Sequence, residues 1–408
     1  MTNTLIAIIV SLAALLVSTI AFPPVLRFAK RHNIVDNPNA RKLQRIPIPV
    51  LGGTVVFMGI ITGVVLLSFF IERPVMIWGL VAMFIMLIVG TWDDMKDISA
   101  LLRLIIEIGV VGAFMFLTGY YIDDFHGLWG VNELSPVIAI PLSIFVGVGV
   151  INAVNLIDGV DGYSSGYGIV ACGCFALMFS SVWTPAVLCM TLVIMASLIP
   201  FFLHNVFGIK SKMFIGDGGT LMLGMSMVVL SFYSISSKGP CAKLAEEEGA
   251  GLAAFCLAVL CIPVFDTLRV MTARILRGKS PFRPDKTHLH HLFIDMGFSH
   301  LGAAAFIVSI NFLVVLTWYM MWKLGASIDT QTYVVVLIGL LVTSGFYKFM
   351  KMQQNGGELD EEGYPLGTPI WHAFCKLGDW SHVEKGVVWK FIHKLMDSKV
   401  LTEVPKIK

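Results

Sequence analysis

Apolar stretches long enough to cross a bilayer recur along most of this chain, and no other feature limits its fold so severely. A membrane-spanning helix needs about 20 mainly apolar residues. Runs of that kind lie near residues 4–26, 51–71, 74–91, 101–120, 135–151, 164–182, 184–203, 218–235, 250–270, 303–322 and 332–349. They are continuous rather than alternating, which excludes a transmembrane β-barrel. Only 14% of the 408 residues are charged and mean hydropathy is +0.81, whereas a soluble domain carries about 25% charged residues. The expected fold is therefore an all-α integral membrane protein, a bundle of about eleven transmembrane helices. The first stretch exceeds a signal-peptide core and lacks a basic leader, so it reads as a retained helix.

The basic residues sort by side. With eleven spans, 25 of the 29 Lys and Arg fall on one face, leaving only Arg73, Lys238, Lys243 and Lys323 opposite. The positive-inside rule makes the crowded face cytoplasmic, with the N-terminus outside and the C-terminus inside. The domain division that follows is 1–350 in the membrane and 351–408 as a cytoplasmic tail. Near the tail's end, Val388, Phe391, Ile392, Leu395 and Lys399 recur at helical spacing beside Lys385, Lys390 and Lys394. That pattern suits a basic amphipathic helix on the bilayer surface or, equally, a solvated or partner-bound tail. Most of the seven cysteines lie in apolar runs without a CxxC pair, which argues against zinc or redox chemistry. No nucleic-acid partner is expected.

Polar residues at membrane depth are expensive and point to function. Here they gather in four groups on the basic face. Trp92-Asp93-Asp94-Met95-Lys96-Asp97 places three carboxylates at a helix end, fit to bind a divalent cation or to serve as a base, or simply to form a capped loop. In Asn152-Ala153-Val154-Asn155-Leu156-Ile157-Asp158-Gly159-Val160-Asp161-Gly162, carboxamides and Asp-Gly pairs offer oxygen ligands on tight turns. Phe214-Ile215-Gly216-Asp217-Gly218-Gly219 opens a helix with glycine-rich backbone suited to phosphate. Arg283-Pro284-Asp285-Lys286-Thr287-His288-Leu289-His290-His291 sets three histidines beside cations. Without a cysteine or a well-spaced fourth ligand it reads as an anion site rather than a zinc tract. Carboxylates for Mg²⁺, glycine turns and Arg, Lys and His for a polyanion together describe phosphoryl transfer beside lipid.

These four motifs, in this order and on one face, resemble the polyprenyl-phosphate N-acetylhexosamine-1-phosphate transferases of glycosyltransferase family 4, over about residues 5–350. Gly52-Gly53 also sits where that family's first cytoplasmic loop enters its second helix. The resemblance implies a bacterial inner-membrane enzyme that moves a sugar 1-phosphate from a UDP-N-acetylhexosamine to undecaprenyl phosphate, with Mg²⁺ (or Mn²⁺ as substitute) and a homodimer as candidate assembly. Its cytoplasmic product would start a cell-envelope polysaccharide. His288-Leu289-His290-His291 is similar to the form found in UDP-GlcNAc enzymes, whereas the UDP-MurNAc-pentapeptide branch carries three consecutive histidines.

By position, the resemblance assigns Asp217 and Asn155 to Mg²⁺ and the donor diphosphate, and Asp93 and Asp94 to the lipid phosphate, one of them as a candidate base. Phe214 would stack on uracil, while Asp158 and Asp161 would bind the nucleotide or order their loop. His288, His290, His291 and Arg283 would contact diphosphate and sugar, and Lys42, Arg103 and Lys212 would neutralise phosphate. Asn205 and Asp266 occupy further polar positions of the family. Each has a structural alternative: Asp158 as a turn residue, Phe214 as core, Asp266 as a partner of Arg269. Two departures stand out. Gln44 replaces a frequent histidine and cannot carry its charge, and Glu107 replaces a frequent glutamine. Glu107 needs a partner if buried, and Arg103 lies one turn earlier. An ion-coupled transporter would instead show internal repeats and mid-span carboxylates with access from both sides.

Overall fold

The computed structural model describes residues 2–38, 46–71, 74–182, 184–281, 286–359, 365–383 and 386–398. Its helices run α1 (Asn3–Arg31), α2 (Gly52–Ser68), α3 (Pro74–Lys96), α4 (Ala100–Thr118), α5 (Pro136–Leu156), α6 (Tyr163–Ser181), α7 (Pro185–Phe207) and α8 (Gly216–Ile235). The chain continues through α9 (Ala242–Glu248), α10 (Leu252–Val259), α11 (Cys261–Leu276), α12 (Leu289–Asp295), α13 (His300–Lys323) and α14 (Ile328–Leu340). A π-helical stretch, Leu341–Gly345, joins α14 to α15 (Phe346–Gln353), and α16 (Pro369–Trp380) and α17 (Val387–Ser398) close the described chain. Among the described residues nine helices are long and apolar enough to cross a membrane, and α10 with α11 makes a tenth if the bent pair is one span. Helix α2 is apolar but has only 17 residues.

α8 is the hub. Every residue from Gly218 to Ile235 is buried, and α3, α5 and α2 pack around it. In lipid this packing is driven by close van der Waals fit rather than by escape from water. Two of the serines that this helix buries bond back to it: Ser226 Oγ donates to the Met222 carbonyl at 2.9 Å and Ser234 Oγ to Leu230 at 2.8 Å. Outer helices are apolar on both faces, as a lipid solvent requires. Along α1, Ile6, Val10, Ala14, Ser18 and Phe22 face inward, whereas Leu5, Ile8, Leu12, Leu16 and Ile20 are exposed.

Two features depart from the sequence reading. The stretch expected as one span near 250–270 is broken at Leu260, and α10 and α11 meet at 74°. Pro263 contributes no N–H to the first turn of α11, and the groups freed at the break find partners elsewhere. Asn311 of α13 accepts from the Ile262 N–H at 2.9 Å and donates to the Val259 carbonyl at 2.9 Å, while the Tyr167 hydroxyl donates to the same carbonyl at 3.2 Å. Broken helices persist at membrane depth only with such satisfaction. The second departure is two short antiparallel pairs in an otherwise helical chain: β1 (Val35–Asp36) with β2 (Ile48–Pro49), and β3 (Gln354–Leu359) with β4 (Pro365–Gly367).

The segment after 350 folds back onto the bundle, with α16 against α15 and α17 against α7. A helix does form where the tail pattern suggested one; Lys385 and Lys399 lie outside the described residues.

Candidate active site

Four turns converge at one end of the bundle around a cavity of about 850 Å³. The first joins α3 to α4. Asp97 closes α3 with φ 47°, and Asp93 ties the turn by accepting from the Ile98 N–H at 2.9 Å. Asp93 also accepts from Arg103 Nη1 at 3.0 Å. Arg103 continues the network to Asn152 Oδ1 at 3.3 Å and to Glu107 at 3.5 Å, and Asn152 donates to Glu107 as well. The buried carboxylate of Glu107 thus has the partner one turn earlier that its burial demands.

Asp94, its neighbour, turns to α8. Its two oxygens accept from the N–H groups of Asp217 (3.1 Å) and Gly218 (3.3 Å), capping the positive end of that helix. The approach requires glycine on both sides. Gly216 has φ 73°, and a Cβ there would strike the Val50 carbonyl and the Asp94 carboxylate. A Cβ on Gly90 would overlap the Asp217 backbone. Backbone bonds from Gly52 N to the Phe214 carbonyl (2.9 Å), Gly53 N to Ile215 (2.8 Å) and Phe214 N to Pro49 (2.7 Å) fasten the glycine pair of α2 to this loop. Phe214 is half-buried on the cavity wall.

Asp217 therefore stands at the tip of the most enclosed helix, with its side chain 42% exposed to the cavity. Asn155 donates to its Oδ1 at 2.9 Å and to Thr220 Oγ1 at 2.8 Å, and Arg103 Nη1 lies 4.0 Å from its Oδ2. Among the described residues no three His, Cys, Asp or Glu side chains converge to hold a metal unaided. That donor set fits Mg²⁺, which binds through one or two carboxylates and takes its remaining ligands from phosphate and water. Asp217 and Asn155 are the residues that would hold the ion.

The opposite wall comes from the α5–α6 turn and its partners. Asp158 opens into the cavity and accepts from Ser164 Oγ at 2.7 Å. The surrounding protein pushes its carboxyl up to about 7, aided by the charges of Asp217 and Asp161 and opposed by the Ser164 bond. Asp161 is held below its ordinary value: burial pushes it up, but His300 Nδ1 at 2.8 Å and the Lys212 ammonium at 2.6 Å prevail. Asn205 spends its amide within the fold, accepting from the Gly162 N–H at 2.7 Å and donating to the Met213 carbonyl at 3.0 Å.

The histidine group divides. His288 Nδ1 lies 2.9 Å from Asp266. Asp266 also accepts from the Leu289 N–H at 3.1 Å and from Arg269 Nη2 at 2.6 Å. Asp266 is thus the Arg269 partner and the anchor of α12. His290 is buried against Tyr163 and His291, whereas His291 reaches the cavity. Burial lowers both, His291 to about 4 with His288 as a further cause. At neutral pH in this state these two rings are N–H donors, not the cations the sequence reading counted on. Lys42 and Arg283 lie outside the described residues, as does Gln44. Sequence reasoning missed Asp36, His300 and Trp389, which also line the cavity. His300 had one signal, a histidine beside the Ser299 helix cap.

The profile of glycosyl transferase family 4 matches residues 76–235, from α3 through α8. The chain is 31% identical over 315 residues (77% of it and 83% of the relative) to a "probable undecaprenyl-phosphate N-acetylglucosaminyl 1-phosphate transferase" of Bacillus subtilis (strain 168). It is 26% identical over 380 residues (86% and 90%) to a "decaprenyl-phosphate N-acetylglucosaminephosphotransferase" of Mycobacterium tuberculosis (strain ATCC 25618 / H37Rv). It is 28% identical over 283 residues (67% and 72%) to an "undecaprenyl-phosphate alpha-N-acetylglucosaminyl 1-phosphate transferase" of Escherichia coli (strain K12). The chain belongs to glycosyl transferase family 4.

Proposed function

We propose that this protein transfers N-acetylglucosamine 1-phosphate from UDP-GlcNAc to a polyprenyl phosphate, releasing UMP. One observation carries the reading: Asp217, presented into a cavity at the end of a wholly buried helix, is ringed by Asp93, Asp94, Asn155 and Arg103 and faced by Lys212, His291 and His300. The relatives named above supply the substrate class. A phosphate oxygen of the lipid attacks the β-phosphorus of the donor, the bond from that phosphorus to the bridging oxygen breaks, and UMP leaves with the electron pair.

The lipid phosphate is largely ionised at neutral pH, so placement outweighs proton removal. Two anions must meet, and Mg²⁺ on the diphosphate would supply the charge that lowers their repulsion. Arg103 holds Asp93 and faces Asp217, setting both carboxylates before substrate arrives. Asp94 is engaged on the cap of α8 and Asp93 on the Ile98 N–H and Arg103, so both act as positioning groups before substrate binds, and one of the two is the candidate base.

The reading places the site on the cytoplasmic face of the bacterial inner membrane. It counts eleven crossings when α2 and the bent α10–α11 pair are included, with the N-terminus outside. With eleven spans, the sequence assigns 25 of the 29 Lys and Arg to one side, and that asymmetry supports the orientation.

Purified protein with undecaprenyl phosphate, Mg²⁺ and a panel of UDP-sugars tests the proposal by UMP release. UDP-GlcNAc should be turned over, and a chelator should stop the reaction. Asp217→Asn should lower kcat by about 100-fold or more. Failure to release UMP from any donor would overturn the reading, and turnover of UDP-MurNAc-pentapeptide alone would move the enzyme to the other branch.

A further inference from the structure

Two contacts of the tail end on residues adjoining the groups that hold Asp161, and α17 also lines the cavity through Trp389. α17 lies across the end of α7. Its Asp397 carboxylate accepts from three consecutive N–H groups, Ile209 (3.3 Å), Lys210 (3.1 Å) and Ser211 (3.1 Å), and from the Ser211 hydroxyl at 2.9 Å. His393 Nδ1 sits 3.1 Å from the Phe207 carbonyl at the start of the same turn. The turn leads directly into Lys212, whose ammonium is 2.6 Å from Asp161.

The second contact lies beyond α16. Ser381 Oγ accepts from the Ser299 N–H at 2.8 Å, and Ser299 Oγ donates to the Ser381 carbonyl at 2.8 Å. Ser299 caps α13, and the next residue, His300, meets Asp161 at 2.8 Å. Trp389 of α17 lines the cavity together with Lys212 and His300.

A carboxylate that gathers three backbone N–H groups makes strong, charge-assisted bonds and fixes the backbone that carries them. A tail merely resting on the bundle would need neither this cage nor the paired serine contact. We infer that the tail is a working wall of the donor subsite. Asp397 and Ser381 are positioning residues that set Lys212 and His300 on Asp161, and Trp389 closes the rim over a nucleoside diphosphate. The lipid acceptor keeps its chain in the bilayer, whereas this wall offers a cation, an imidazole and an indole, which suit a diphosphate joined to a flat base. The inference deepens the transferase reading and rests on it.

The test uses the purified full-length chain as wild type, Asp397→Ala, Asp397→Asn and Trp389→Ala. UMP release is followed while each substrate is varied, and UDP binding in Mg²⁺ is followed by calorimetry. Asp397→Ala should raise the KM for UDP-GlcNAc and the Kd for UDP by about 10-fold, while the KM for undecaprenyl phosphate stays within about 2-fold. Asp397→Asn keeps one oxygen to accept the N–H groups and should fall between. A folded Asp397→Ala with unchanged donor KM and UDP Kd overturns the inference, as does an equal rise in both KM values. If Asp397→Ala does not fold, Trp389→Ala decides, and an unchanged donor KM there overturns it. If the wild type releases no UMP, the transferase reading fails by itself, and UDP binding to the variants still decides the role of the tail.

Discussion

Asp158 sits on the turn between α5 and α6 with Ser164 at 2.7 Å and the charges of Asp161 and Asp217 nearby. The folded chain keeps its proton up to about 7, against an ordinary value of 3.8. An unfolded chain would release that proton at the ordinary value, so proton retention gives a contribution to stability that is full below 3.8 and is lost progressively as pH rises from there to about 7. Asp158→Asn imitates the neutral carboxyl and should remove this slope. Thermal melts in detergent should find the two proteins level near about pH 3 and the variant more stable near about pH 8; parallel melting curves at both would refute the shift. The residues of the acidic and asparagine motifs were legible because charges stand out in an apolar chain. His300 and Trp389 were not, since the positions that bring them to Asp161 and its cavity are set by tertiary packing; His300 is 139 residues away in sequence. The neutral state of His290 and His291 was equally hidden, because composition records a histidine but not its burial.

Among the elements, the broken α10–α11 pair depends most on one distant side chain. Asn311 supplies both an acceptor to the Ile262 N–H and a donor to the Val259 carbonyl. Asn311→Leu keeps the size and removes both bonds; the Val259 carbonyl keeps the Tyr167 hydroxyl, but the Ile262 N–H loses its acceptor, at a cost of roughly 1–3 kcal/mol. The variant should melt earlier in detergent than the wild type, and an unchanged melting temperature would show that the break holds itself open. Where a segment's own composition decides its conformation, the sequence reading located helices well, as along α1, α4 and α13. It missed the break because Leu252 to Leu268 is apolar almost without pause, and the plug sits 49 residues further on.

At the scale of the molecule, the orientation can be checked because all seven cysteines are free and buried. Single cysteines at exposed positions should therefore react over a low background. In intact cells a membrane-impermeant maleimide should label Lys243→Cys but not Lys279→Cys, and permeabilised cells should label both. The opposite pattern would invert the topology. The membrane class was legible from hydropathy alone; the folding of the tail onto the cavity was not, since its polar contacts go to the backbone of a distant turn and to a distant helix cap. The complete enclosure of α8 has a further consequence. A lipid-facing helix can exchange one apolar residue for another at little cost, so α1 and α4 have many neighbouring sequences open to them. From Gly218 to Ile235, α8 has none of that freedom: a change of size there must be matched by its neighbours on α2, α3 or α5, or the displacement is passed along a stiff rod to Asp217. Random mutagenesis scored for function should thus leave a gradient from tolerant rim to intolerant axis, with the axis ending at the chemistry.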